Sequence, residues 1–143
     1  MVNHQDMHKT VWKFKEVSNS VKNRHEQWEN NKDTLKELLE SIKNQEILEI
    51  LDEDYSANIT ENNDIITLKL SNNYLEGQLN YELLYNGKIK IYTTFPEIKD
   101  EEGESKKVYI NTYNPNEINE MNTIDDLNSF FMNFKSNISS IHR

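Results

Sequence analysis

Residues 81–91 read Tyr81-Glu82-Leu83-Leu84-Tyr85-Asn86-Gly87-Lys88-Ile89-Lys90-Ile91, "YELLYNGKIKI", two alternating runs joined at Asn-Gly. Such a pair marks a β-hairpin, and the loop length sets which side chains share a face. A two-residue loop would put Tyr85 opposite Lys88 and leave Ile89 and Ile91 facing Leu84 and Glu82, mixing apolar and charged positions. A three-residue loop, a type I turn with a left-handed Gly87 forming a G1 bulge, instead sets Leu83 opposite Ile89, Tyr81 opposite Ile91 and Leu79 opposite Thr93. The bulged turn is the expectation.

Working outward, the period-two pattern recurs. Ser56–Thr60, Ile65–Leu70, Tyr74–Tyr85, Lys88–Phe95 and Lys107–Tyr113 read as five strands, separated by "ENND", "SNN", "NG" and "PEIKDEEGES". Short connections between consecutive strands predict an antiparallel meander over residues 55–113.

Both flanks change to helical period. Val11, Phe14, Val17, Val21 and Trp28 fall within one arc of about 120° on a helical wheel. After the polar run Glu29–Asp33, Thr34-Leu35-Lys36-Glu37 has capping-box spacing, which predicts a second helix starting there. One unbroken helix from about 7 to 51 is the alternative, long for a small domain. Residues 1–8 are expected to fray. At the other end Ile124, Leu127, Phe130, Phe131, Phe134, Ile138 and Ile141 share one arc, which predicts a helix over 123–141. Thr123 is its expected N-cap, with Asp125 and Asp126 placed in the first turn by the helix dipole.

The expected fold class is therefore α+β: two N-terminal helices, a five-stranded antiparallel meander, and a C-terminal amphipathic helix packed on the sheet, all in one domain over 1–143. One N-terminal helix is left free to pack at the edge or against a partner.

Composition narrows the chemistry. The 143 residues carry a net charge of −9, with six Lys/Arg against four Asp/Glu in residues 1–32 and ten against twenty-one in 33–143. A body of that charge repels phosphate backbones, so no direct nucleic-acid binding is expected. With no cysteine there are no disulfides, thiolate metal sites or cysteine nucleophiles. No apolar run approaches the roughly 18 residues of a membrane span, so a soluble cytoplasmic protein without a membrane partner is expected.

The motifs with chemical potential are few. His4-Gln5-Asp6-Met7-His8 puts two histidines four apart, but a metalloprotease needs a glutamate where Gln5 stands. His25 and His142 are the only other imidazoles. His25 lies on the arc of Val21 and Trp28 and reads as a partly buried histidine held by backbone partners. Gly77, Gly87 and Gly103 sit at strand or hairpin positions, so no phosphate loop exists. No cofactor and no metal are expected. Six tyrosines cluster on the meander, where cross-strand packing is the simpler role. Two acidic clusters remain, Glu46, Glu49, Asp52, Glu53 and Asp54 at the end of the second helix and Glu97, Asp100, Glu101, Glu102 and Glu104 in the long hairpin loop, of which Asp52, Glu53, Asp54, Asp100, Glu101, Glu102 and Glu104 are the expected partner-binding residues. Neither has calcium-loop spacing.

The functional expectation is a non-enzymatic acidic factor, an inhibitor or an immunity or anti-defence protein, whose two clusters meet a basic surface on a partner protein. Small acidic proteins of phages and mobile elements offer a compositional analogy. The alternatives are a dimeric chaperone or assembly subunit, and a small-ligand binder or enzyme with a pocket between sheet and C-terminal helix.

Overall fold

The computed structural model describes residues 3–140, and the expectations for Ile141 and His142 lie outside them. A helix α1 (His4–Ile42) leads through a π-helical turn (Lys43–Ile47) into strands β1 (Ser56–Asn62), β2 (Ile65–Ser71), β3 (Glu76–Leu83), β4 (Ile89–Lys99) and β5 (Ser105–Tyr113). A 3-10 turn (Pro115–Glu117) precedes the last helix, α2 (Glu120–Ser140). The strands form one sheet in chain order, each antiparallel to the next.

The central hairpin has the bulged turn. Gly87 is left-handed at φ 86°, and Leu83 pairs with Ile89, Tyr81 with Ile91 and Leu79 with Thr93. That register gathers Leu79, Tyr81, Ile89, Ile91, Thr93 and Phe95 on one face, all at or near zero exposure. Ile66, Leu68 and Leu70 of β2 extend it. The opposite face is polar: Asn80 accepts from the Thr67 hydroxyl (2.8 Å) and donates to Thr94 (2.9 Å), a ladder across three strands. Tyr92 on that face donates to Glu82 (2.9 Å), and burial with this carboxylate pushes its phenol up to about 12.

Two elements cover the apolar face. Phe134 of α2 packs against Phe95 of the sheet, with ring centroids 5.3 Å apart, and against the buried Phe130, at 5.7 Å. Trp28, Leu35, Leu39 and Ile42 of α1 complete the core.

The N-terminal region corrects the sequence reading: one continuous helix of 39 residues replaces the two expected. The polar run Glu29–Asp33 is a solvated helix face, not a break. Lys32 pairs with Glu29 and Lys36 with Asp33, both at 3.1 Å, and both lysines reach Glu61 of β1. Seven-residue spacing keeps Trp28 and Leu35 on the core side, so the chain gains nothing by stopping. Residues 4–8 are helical rather than frayed, because Asn3 and Asp6 form a capping box. The helix passes into the π turn at Lys43, where the Leu48 N–H donates to the Lys43 carbonyl (3.0 Å).

Helix α2 begins three residues early. The Asn119 carboxamide accepts from the Asn122 N–H (2.8 Å), taking the capping role expected of Thr123. Thr123 is buried inside the first turn, its hydroxyl donating to the Asn119 carbonyl (2.7 Å).

Gly77 is required by close approach: a Cβ there would stand 2.4 Å from Phe134 Cε2. Gly77→Ala is expected to cost about 1–3 kcal/mol by displacing that ring, read as a lower urea midpoint, with Phe134→Leu in the same chain recovering part of it. An unchanged midpoint for Gly77→Ala would contradict this packing.

Candidate functional site

In a meander the connections alternate between two ends of the sheet. The chain enters β1 at Ser56, and the β2–β3 and β4–β5 connections lie at this same end. Asp52, Glu53 and Asp54 therefore share one end of the molecule with Asp100, Glu101, Glu102 and Glu104, and all seven are exposed. The two groups sit at opposite edges, three to four strands apart, or roughly 14–19 Å. They border one end without converging on one point.

Each acidic loop is shaped by its own hydrogen bonds. Asp100 Oδ1 accepts from the N–H groups of Glu102 (3.0 Å) and Glu104 (2.9 Å), and Gly103 is left-handed at φ 81°. Asp100 thus holds the loop while Glu101, Glu102 and Glu104 point charge outward. Asp54 Oδ2 accepts from Asn72 Nδ2 at 3.4 Å, linking the first cluster to the β2–β3 turn.

The opposite end carries the β3–β4 turn, which is clamped to α1. Arg24 Nε donates to the Asn86 carbonyl (2.9 Å), and His25 Nε2 lies 2.9 Å from the Tyr85 carbonyl, the backbone partner expected for that histidine. A Cβ on Gly87 would stand 2.6 Å from Arg24 Cβ. This is the last contact before α1 leaves the body. Residues 3–20 are exposed throughout, and Met7, Val11, Phe14 and Val17 keep between 49% and 69% of their surface open. Trp12 points to another side, with the Lys15 ammonium 4.9 Å from its ring centre. His4 and His8 lie on this open stretch, and among the described residues no three His, Cys, Asp or Glu side chains gather as a metal site.

The space directly between sheet and α2 is filled by phenylalanines, but a groove runs along the flank of α2. A 440 Å³ section is bounded by Ile42, Ile47, Ile50 and Leu51 on one side and Ile124, Leu127 and Phe131 on the other. A 260 Å³ section shares Leu51 and Phe131 and continues past Tyr55 and Leu75 to Ile138. The lining is apolar except for Glu46, Asn128, Lys135 and Ser139.

One buried charge was misplaced by sequence reasoning. Asp126, expected as a first-turn dipole residue, is only 3% exposed, and its Oδ2 accepts from Tyr81 (2.9 Å) and Tyr113 (2.8 Å). Burial pushes its carboxyl up to about 6, although the two hydroxyls pull the other way. Burial, then the Asp126 charge, holds both phenols well above the ordinary tyrosine range. This triad is sealed from solvent and joins β3, β5 and α2. The signal for it on the wheel was weak: Asp126 lies four residues before Phe130, about 40° beyond it and just outside the apolar arc.

Comparison with protein-family models, with curated proteins and with solved structures returns no match. Among the described residues no helix is long and apolar enough to cross a membrane.

The Asp126 triad carries a pH signature. A carboxyl whose folded pKa is raised from 3.8 to about 6 adds stability that is fully present below 3.8 and is lost as pH rises through 6. Relative to Asp126→Asn, the native chain is expected to lose roughly 3 kcal/mol of unfolding free energy between pH 3.5 and 7. Urea titrations of both proteins across that range measure the difference, and a flat difference would contradict the assignment.

Proposed function

We propose that this chain is a non-enzymatic protein-binding factor of the inhibitor, immunity or anti-defence type, which blocks a basic surface on a partner protein. The observation that carries the reading is the placement of two exposed acidic loops at one end of a single sheet. A partner site that normally holds a polyanion would meet a matching pattern of carboxylates there. Their field speeds encounter and selects against acidic competitors. The body has no reason to approach nucleic acid directly. A cysteine-free chain suits the reducing cytoplasm, where we place its action.

Two other observations favour other readings. The open apolar stripe on α1 favours an assembly subunit or chaperone that holds another chain. The groove beside α2 favours a binder of apolar ligands, with few polar groups to orient a reaction.

The test starts from capture of the tagged chain in lysate of its source at low and high salt. Glu101→Lys, Glu102→Lys and Glu104→Lys are combined in one variant, leaving Asp100 to hold the loop, and Asp52→Lys, Glu53→Lys and Asp54→Lys in another. At least one variant is expected to associate with the captured protein about tenfold more slowly, with weaker salt dependence and an unchanged fold. Native association rates for both variants would overturn the reading.

A further inference from the structure

We propose that the free part of α1 in one copy docks into the groove beside α2 of a second copy, and that reciprocal exchange of the two arms makes a two-fold dimer. The proposal does not rest on the inhibitor reading. It rests on two unfilled apolar surfaces of the same chain that match in spacing and charge.

The arm continues a row that the fold already uses. Met7, Phe14 and Val21 fall at seven-residue intervals, in series with Trp28, Leu35 and Ile42. The later three face the body, whereas Met7 and Phe14 face solvent, flanked by Val11 and Val17. The same interval recurs on the α2 wall of the groove, at Ile124, Phe131 and Ile138. The α2 row spans about 21 Å of helix, and the open stripe from Met7 to Val17 covers about 15 Å of it. Matched seven-residue rows are what let two helices pack side by side along their length.

Charge supports this pairing over arm against arm. Residues 4–24 hold five Lys/Arg against two Asp/Glu, so two arms laid together would crowd Lys13 and Lys15 near their copies. The groove offers the opposite sign: Glu46 lines it, and Glu49, Asp52, Glu120 and Asp125 are exposed on the segments that form its walls. Lys135 is the basic residue in the lining.

The occupant must come from another molecule. Phe14 lies 28 positions before Ile42 on one unbroken helix, about 42 Å away, so an arm cannot reach its own groove. Because every copy has both surfaces, a two-fold arrangement with the α1 helices antiparallel satisfies both at once and closes the assembly.

The test uses the full chain in sedimentation equilibrium from about 1 to about 300 µM. Phe14→Glu changes the arm and Ile50→Glu the groove; these residues are 69% and 84% exposed, so the thermal midpoint of each variant should match the native one when read at a concentration low enough for the native chain to be monomeric. The native chain is expected to dimerise, more weakly at high salt. Each variant alone should associate at least about fiftyfold more weakly. An equimolar mixture should regain a one-to-one complex, because the Ile50→Glu arm still fits the Phe14→Glu groove. A native chain that stays monomeric throughout overturns the proposal. So does an Ile50→Glu variant that dimerises as the native chain does, the mark of arm-to-arm pairing. A monomer that binds phosphatidylserine vesicles through Phe14 would assign the stripe to a membrane surface instead.

Discussion

The left-handed turn at Gly87 is the constraint on which the rest depends. It fixes the register that puts Leu79 and Tyr81 opposite Thr93 and Ile91, and so decides which face of the meander is apolar. The same turn presses against α1, where Arg24 and His25 bind the carbonyls of Asn86 and Tyr85. One glycine therefore sets the inner face of the sheet and the point at which the long helix departs from it. A β-carbon at this position would strain the backbone and collide with Arg24 together.

Helix α1 has two environments on one stripe. Its second half is a core element, with Trp28, Leu35, Leu39 and Ile42 sealed under the sheet. Its first turns, through Ser20, are exposed throughout, and an isolated helix of that length is marginal in water. Continuity resolves the difficulty, since the anchored half supplies the nucleus and the open half only propagates it. The Asn3–Asp6 capping box closes the far end. The molecule is consequently polar along its length, with a basic apolar arm at one end of the sheet and the acidic loops at the other.

Much of this was legible in the sequence, for reasons that differ by element. The hairpin register followed from turn chemistry, because only one loop length keeps Ile89 and Ile91 with Leu83 and Tyr81. The C-terminal helix followed from an arc that includes three phenylalanines. The continuity of α1 was not legible, since Glu29–Asp33 reads equally as a linker or as a solvated helix face, and the ion pairs to Glu61 come from a distant strand. Exposure of the arm was hidden for a related reason: an apolar stripe looks the same whether its cover lies in the same chain or another. The acidic residues were found as clusters, but their placement at one end depended on strand order. Asp126 was assigned by the helix dipole; it stands just outside the apolar arc, and its burial depends on Tyr81 and Tyr113, which distant strands bring to it.

The claim at the centre of this account is that α1 is one rigid helix whose first turns stand clear of the body. The absence of native cysteine permits direct measurement with spin labels at Gln5→Cys and Glu37→Cys, both exposed, diluted with unlabelled protein to suppress contacts between copies. A narrow distance distribution centred near 48 Å, the rise of 32 helical residues, is the predicted result. A broad or markedly shorter distribution would mean a hinge within Glu29–Asp33 and would contradict the continuous arm.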